Sequence, residues 1–210
     1  MKKLLALAAG FVLLIAAALV LYTALGNYAQ AGQLVTVATT EAPTTEAPAT
    51  ESPTETPAEV PEETATAQVA LAPDFTVYDL EGNPVHLLSY LGKPIVLNFW
   101  ASWCGPCKME MPDFQKAFEE LDGNVQFLMV NMTDGSRETV ETAISFIESQ
   151  GYTFPVLFDS DMDAAITYNA YSLPTTYFIS AEGQVIARAS GAISAELLQQ
   201  GIDMIYTPED

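Results

Sequence analysis

Two cysteines, Cys104 and Cys107, stand two residues apart, and the chain's 210 residues contain no others. What surrounds them limits the possible folds. Upstream, Ile95–Trp100 (IVLNFW) is apolar on nearly every position and reads as a strand buried on both faces. Downstream, Cys104–Leu121 reads as a helix, with Phe114, Ala117, Phe118 and Leu121 at spacings of three and four. Pro112 falls inside that helix and predicts a kink. The cysteine pair therefore lies where a buried strand hands over to the first turn of a helix. A helix N-terminus carries unpaired N–H groups and partial positive charge, which stabilise a thiolate. The expected reading is a Cys104 thiol with a pKa below that of a free cysteine, exposed and nucleophilic. Cys107, one turn further in, is expected to be more buried and able to resolve a mixed disulfide by attacking Cys104. Pro106 suits a first helical turn, where its missing N–H costs little.

Other readings of the pair carry less. A structural disulfide would close a very short loop and gain little chain entropy. A metal site would need more ligands, and His86, the only histidine, could add one at most. A chance pair does not explain the Gly-Pro between the cysteines or Trp103 before them.

The remaining pattern extends the alternation of strands and helices. Phe75–Leu80 and Pro84–Leu88 read as a hairpin around Glu81-Gly82-Asn83. Asn124–Asn131 is a second buried strand, and Ser136–Gln150 an amphipathic helix with a weak cap at Ser136. Phe154–Phe158 reads as a strand, Met162–Tyr168 as a short helix, and Thr175–Ile179 with Gln184–Ala189 as a second hairpin. Ser194 caps a last helix over Ala195–Tyr206. This order predicts an α/β fold, a mixed central β-sheet flanked by helices on both faces, with an N-terminal β-hairpin extension.

Ahead of this domain, assigned to residues 69–210, the chain changes character twice. Residues 1–31 begin Met1-Lys2-Lys3, and Leu4–Leu25 is 22 residues without a charge. Such a helix would be roughly 33 Å long, enough to cross a membrane. The two lysines place its N-terminus inside and the domain outside the cytoplasm. A cleaved signal peptide is the alternative, since Ala29-Gln30-Ala31 resembles a cleavage site. Residues 32–68 are assigned to a disordered linker. Within it, residues 41–66 hold seven Glu, seven Thr and five Pro and almost nothing apolar. The expected role is a spacer with a reach near 35 Å, lifting the domain off the membrane. The chain's net charge is −20; residues 69–210 keep 20 acids against five bases, near −15. Nucleic acid is therefore not an expected partner.

FWASWCGPCK at Phe99–Lys108 resembles the thioredoxin superfamily. APDF at Ala72–Phe75, NFWASWCGPCKMEMP at Asn98–Pro112 and LPTTYFI at Leu173–Ile179 narrow the resemblance to membrane-anchored, extracytoplasmic thiol–disulfide oxidoreductases of the TlpA/ResA type. It covers about residues 70–206 and implies a thioredoxin-like fold and a Cys104–Cys107 redox-active disulfide with no other cofactor. It implies that Pro174 follows a cis peptide bond, which would hold Leu173 beside Cys104 for pairing with a substrate. It implies that Glu110, one turn beyond Cys107, sits under the dithiol and relays a proton; a solvated surface glutamate is the plainer reading. Asn98 stands where cytoplasmic thioredoxins carry a buried aspartate, and an amide cannot supply that proton. Trp103, with Gly105, Pro106 and Leu173, would contact substrate, whereas Trp100 reads as core. Lys93 and Lys108 read as solvated, His86 as structural or exposed, and Tyr168, Tyr171, Tyr177 and Phe178 as core or core-edge.

The implied partners are disulfide-containing exported proteins, including apocytochrome c, a membrane protein that resupplies electrons, and the membrane itself through the N-terminal span. Gly-Pro between the cysteines suits a reductant. A peroxiredoxin-like peroxidase shares the fold, but no Pro-x-x-x-Thr-x-x-Cys pattern precedes Cys104. A metal-delivery or docking module would use wider cysteine spacing and a histidine after the pair.

Overall fold

A computed structural model describes residues 32–37 and 70–208. The expected span Leu4–Leu25 lies outside the described residues, as does most of the linker. Among the described residues no helix is long and apolar enough to cross a membrane.

Among the described residues, eight strands, numbered β1 to β8 in chain order from β1 (Leu34–Thr36), form one mixed sheet in the order β1-β8-β7-β4-β5-β6-β2-β3. Its centre is β4 (Ile95–Trp100), in which every residue is buried. This strand pairs in parallel with β5 (Gln126–Asn131) and antiparallel with β7 (Thr175–Ile179). Beyond β5, β6 (Val156–Phe158) is parallel, and the hairpin of β2 (Thr76–Tyr78) and β3 (Pro84–His86) closes that edge. On the other side β8 (Val185–Ser190) runs antiparallel to β7.

Alternation along β4 divides the core. Val96 and Trp100 join a cluster with Met111 and Phe114 of α1 (Gly105–Leu121), Ala143 of α2 (Val140–Gln150), and Leu198 and Ile202 of α4 (Ala195–Asp203). Ile95, Leu97 and Phe99 face the other way, onto Phe75, Leu87 and Tyr168, beside α3 (Asp163–Thr167). Each face buries about a dozen large side chains at roughly 1.5–3 kcal/mol apiece, so the sheet is held from both sides.

Several boundaries differ from the sequence expectation. The second strand of the first hairpin stops at His86, and Leu87–Tyr90 is a short 3-10 turn. The helix expected from Ser136 starts at Val140. Asp134 Oδ1 accepts from the N–H groups of Ser136, Arg137 and Glu138, which holds that stretch in a turn. Thr139 then caps the helix reciprocally with Thr142. Pro112 is accommodated within one continuous helix.

The largest difference lies at the start of the expected linker. Leu34–Thr36 form β1, antiparallel to β8, with Leu34 opposite Ala189 and Thr36 opposite Ala187. Gly32 donates to Ala192 O at 2.6 Å. A Cβ at Gly32 would meet the carbonyl oxygens of Ser190 and Gly191 at 2.8 Å, so only glycine fits this approach. β1 covers the open edge of β8. Its far end is fixed by Val37 donating to Ile186 O, while Val185 donates to Ala70 O. Residues 37 and 70 are thus held at neighbouring positions of one strand. The tract between them leaves and rejoins the domain at one point, so it does not set the distance between residue 32 and the domain. This moves the start of the expected linker beyond residue 37; the tract 41–66, on which the spacer reading rests, lies outside the described residues.

Joining residues 39 and 68 through a few glycines and serines should therefore leave the fold intact. Shortening a loop by two halvings removes about 1 kcal/mol of closure entropy, so the denaturation midpoint of the shortened chain should be equal or slightly higher. A loss of several kcal/mol would show that the tract is part of the folded structure.

Candidate functional site

The carboxyl end of β4 leads through Ala101-Ser102-Trp103 to Cys104, the N-cap of α1. Cys104 and Cys107 are joined in a disulfide, with Cα atoms 5.3 Å apart. The Cys107 N–H points at Cys104 Sγ, 3.2 Å away. An N–H so placed at a helix N-terminus is the kind of donor that stabilises a thiolate. Cys107 is fully buried, and Cys104 keeps only 4 % of its surface. The expected exposed Cys104 is therefore recessed: it is reached through a cleft rather than projecting from the surface.

That cleft has a volume of about 430 Å³ and brings together most of the residues expected to bind substrate. Trp103, Gly105, Pro106 and Leu173 all line it beside Cys104. Trp103, 41 % exposed, forms one wall. The Leu173–Pro174 peptide is cis, and Leu173 lies at the seam of the two core clusters. Tyr171, expected in or near the core, is instead 74 % exposed and lines the cleft. Tyr168, Tyr177 and Phe178 are buried, as is Trp100. His86 is exposed, 3.4 Å from Asp74. Lys93 donates to Gly123 O, and Lys108 lies over the Phe146 ring.

Glu110 is buried, not a surface glutamate. Its Oε1 accepts from Asn98 Nδ2 at 2.9 Å and its Oε2 from the Ile193 N–H at 2.9 Å. Asn98 Nδ2 also reaches Thr176 Oγ1 on β7. Burial is the dominant influence and raises the Glu110 pKa to about 7, against the two hydrogen bonds, which favour the charged form. At neutral pH this carboxyl is balanced between its two protonation states, one turn from Cys107.

Sequence reasoning missed a second buried carboxylate. Glu138 accepts from the Ser102 N–H at 2.8 Å, the Ser102 hydroxyl at 2.6 Å and Asn131 Nδ2 at 2.7 Å. It thereby fixes the loop that presents Cys104. Among the described residues no cluster of three or more His, Cys, Asp or Glu could hold a metal ion.

A disulfide at the N-terminus of a helix, fed by a central buried strand and faced by a cis-proline loop, defines a thioredoxin-like thiol–disulfide oxidoreductase. The chain belongs to the AhpC/TSA family, whose model matches residues 70–188. It is 36% identical over 145 residues to the thiol-disulfide oxidoreductase ResA of Geobacillus thermodenitrificans, covering 69% of this chain and 81% of that protein. Among solved structures it resembles a putative thiol:disulfide interchange protein DsbE from Chlorobium tepidum, with 28% identity and a TM-score of 0.58 over 64% of this chain and 94% of that one. It also resembles the pneumococcal exposed lipoprotein thioredoxin Etrx1 from Streptococcus pneumoniae, with 29% identity and a TM-score of 0.54 over 62% of this chain and 99% of that one. The protein is thus a thiol–disulfide oxidoreductase of the ResA type with a thioredoxin-like fold.

Proposed function

We propose that the protein is a membrane-tethered extracytoplasmic reductant of disulfides in exported proteins, with apocytochrome c as one candidate substrate. The observation that carries this reading is the Cys104–Cys107 pair recessed at the floor of an apolar cleft, with Cys104 facing it and Cys107 sealed behind. In the reduced enzyme the Cys104 thiolate attacks one sulfur of a substrate disulfide, and the other substrate sulfur leaves as a thiolate. Cys107 then attacks Cys104, releasing the second substrate thiol. Two electrons pass to the substrate, and the enzyme is left as the disulfide. No third cysteine exists in the chain, so a membrane electron-donor protein restores the dithiol. Glu110 accepts the Cys107 proton as that thiol becomes a nucleophile, and Leu173 offers its backbone to the substrate segment.

The apolar run Leu4–Leu25 supplies the tether, and the likeness to an exposed lipoprotein thioredoxin supports the location. With β1 docked, the reach from span to domain is limited to residues 26–31, so the site works close to the membrane surface.

A redox titration of the protein against dithiothreitol buffers tests the direction. A potential near that of thioredoxin, about −270 mV, supports a reductant. One near about −120 mV, the range of a strong oxidant, would overturn it.

A further inference from the structure

The cleft wall also holds a group that the dithiol chemistry does not use. Arg137 lies over the Trp103 ring, its guanidinium carbon 3.7 Å from the ring centre. Its side chain is exposed and lines the same cleft as Cys104. Residues 69–210 carry 20 acids and five bases, yet no carboxylate among the described residues comes within 4.0 Å of this arginine. The nearby acid, Asp134, lines the same cleft and feels the Arg137 charge, but it makes no ion pair within 4.0 Å, and its Oδ1 accepts from the N–H groups of Ser136, Arg137 and Glu138. The other bases lie elsewhere: Lys116 pairs with Glu120, Lys93 caps Gly123, Lys108 sits on Phe146 and Arg188 on Tyr177. Arg137 is therefore the cation of the cleft.

Stacking occupies the face of a guanidinium and leaves its rim of N–H donors free. Trp103 holds that rim at the cleft edge, in the ring's attractive field. A planar fork of donors, pre-organised and without an internal acceptor, matches one ligand chemistry best: a carboxylate, bound through two N–H···O bonds.

We infer that Arg137 selects disulfides flanked by a carboxylate, an Asp or Glu side chain or a chain terminus beside the target cysteine. This rests on the oxidoreductase reading above and adds the chemistry of the substrate. The overall charge near −15 acts in the opposite direction at long range and favours neutral or basic partners. The substrate is thus a neutral or basic surface with one acidic group next to its disulfide. Local recognition and long-range steering then work on different parts of it.

The test compares three small disulfides as oxidants of the reduced protein: the anionic disulfide of mercaptopropionic acid, the neutral disulfide of mercaptoethanol, and cationic cystamine. In each, the Cys104 thiolate displaces one probe thiolate and Cys107 closes the enzyme disulfide, releasing the second. The readout is the ratio of anionic to neutral rate constants at low salt. Arg137→Gln should lower that ratio about three- to fivefold, the scale of one rim ion pair, and raise the cationic-to-neutral ratio. Arg137→Lys should recover part of it. Lys116→Gln removes the same charge from the far side of α1 and should leave the ratio where it was. If Arg137→Gln and Lys116→Gln give the same ratio, or if Arg137→Gln slows all three probes equally, Arg137 is not a selector, while the oxidoreductase reading stands. If the neutral disulfide does not oxidise the reduced protein at all, both fail.

Discussion

Cys107→Ala should stop turnover while capturing substrate. With Cys104 alone, the first attack still forms a mixed disulfide, because the Cys104 sulfur faces the cleft and the residue-107 N–H that stabilises its thiolate is a backbone group, kept by alanine. Release needs a second thiolate within bonding distance of Cys104, and in the native protein that sulfur is already bonded to it. No other cysteine in the chain can substitute. Steady-state reduction of a protein disulfide should fall by at least about a thousandfold, the scale seen when a covalent-catalysis residue is removed. The lost sulfur is small and costs about 1 kcal/mol of packing, so the variant folds. Non-reducing gels and mass spectrometry of cells expressing it should show adducts that Cys104→Ala lacks. The opposite pattern, adducts with Cys104→Ala and none with Cys107→Ala, would exchange the roles of the two sulfurs.

The parts of this site that the sequence made legible are those whose cause is local. Ile95–Trp100 is apolar on both faces and could only be a buried strand; the structure begins and ends it at those residues. The helix expected over Cys104–Leu121 forms over Gly105–Leu121, with Cys104 as its N-cap. What was missed depends on distant residues. β1 is three residues long and has no signature of its own; it exists because β8, some 150 positions away, offers an unpaired edge. Glu138 stands beside a weak helix-cap signal, and only donors from Ser102 and Asn131 make its burial tolerable. An aromatic such as Tyr171 is expected inside, yet its loop between α3 and Pro174 leaves it exposed on the cleft. Arg137 looked like one of few bases, and the sequence held no sign that its face would meet Trp103.

Glu110→Gln should remove the pH dependence that its burial imposes. A carboxyl whose pKa rises from 4.5 in the unfolded chain to about 7 in the folded one binds its proton more tightly when folded. Its stabilising effect is fully present below about pH 4.5 and is lost as pH rises through about 7, when the folded protein must carry a buried charge. The difference corresponds to up to roughly 3 kcal/mol. Glutamine mimics the protonated acid at every pH, so wild type and variant should have similar urea midpoints at pH 4, and the variant should be the more stable at pH 8. Other titrating groups, such as the buried Asp159, are common to both proteins and cancel in the comparison. The same substitution should harm catalysis where it helps stability. A glutamine cannot take the Cys107 proton, so resolution of the mixed disulfide should slow most between about pH 6 and 8, where wild-type Glu110 is partly ionised. The two curves must separate: a variant that is more stable at pH 8 yet slower to resolve assigns Glu110 to proton transfer. A variant that is less stable at every pH would instead make its bonds to Asn98 and Ile193 the reason a carboxylate is buried there.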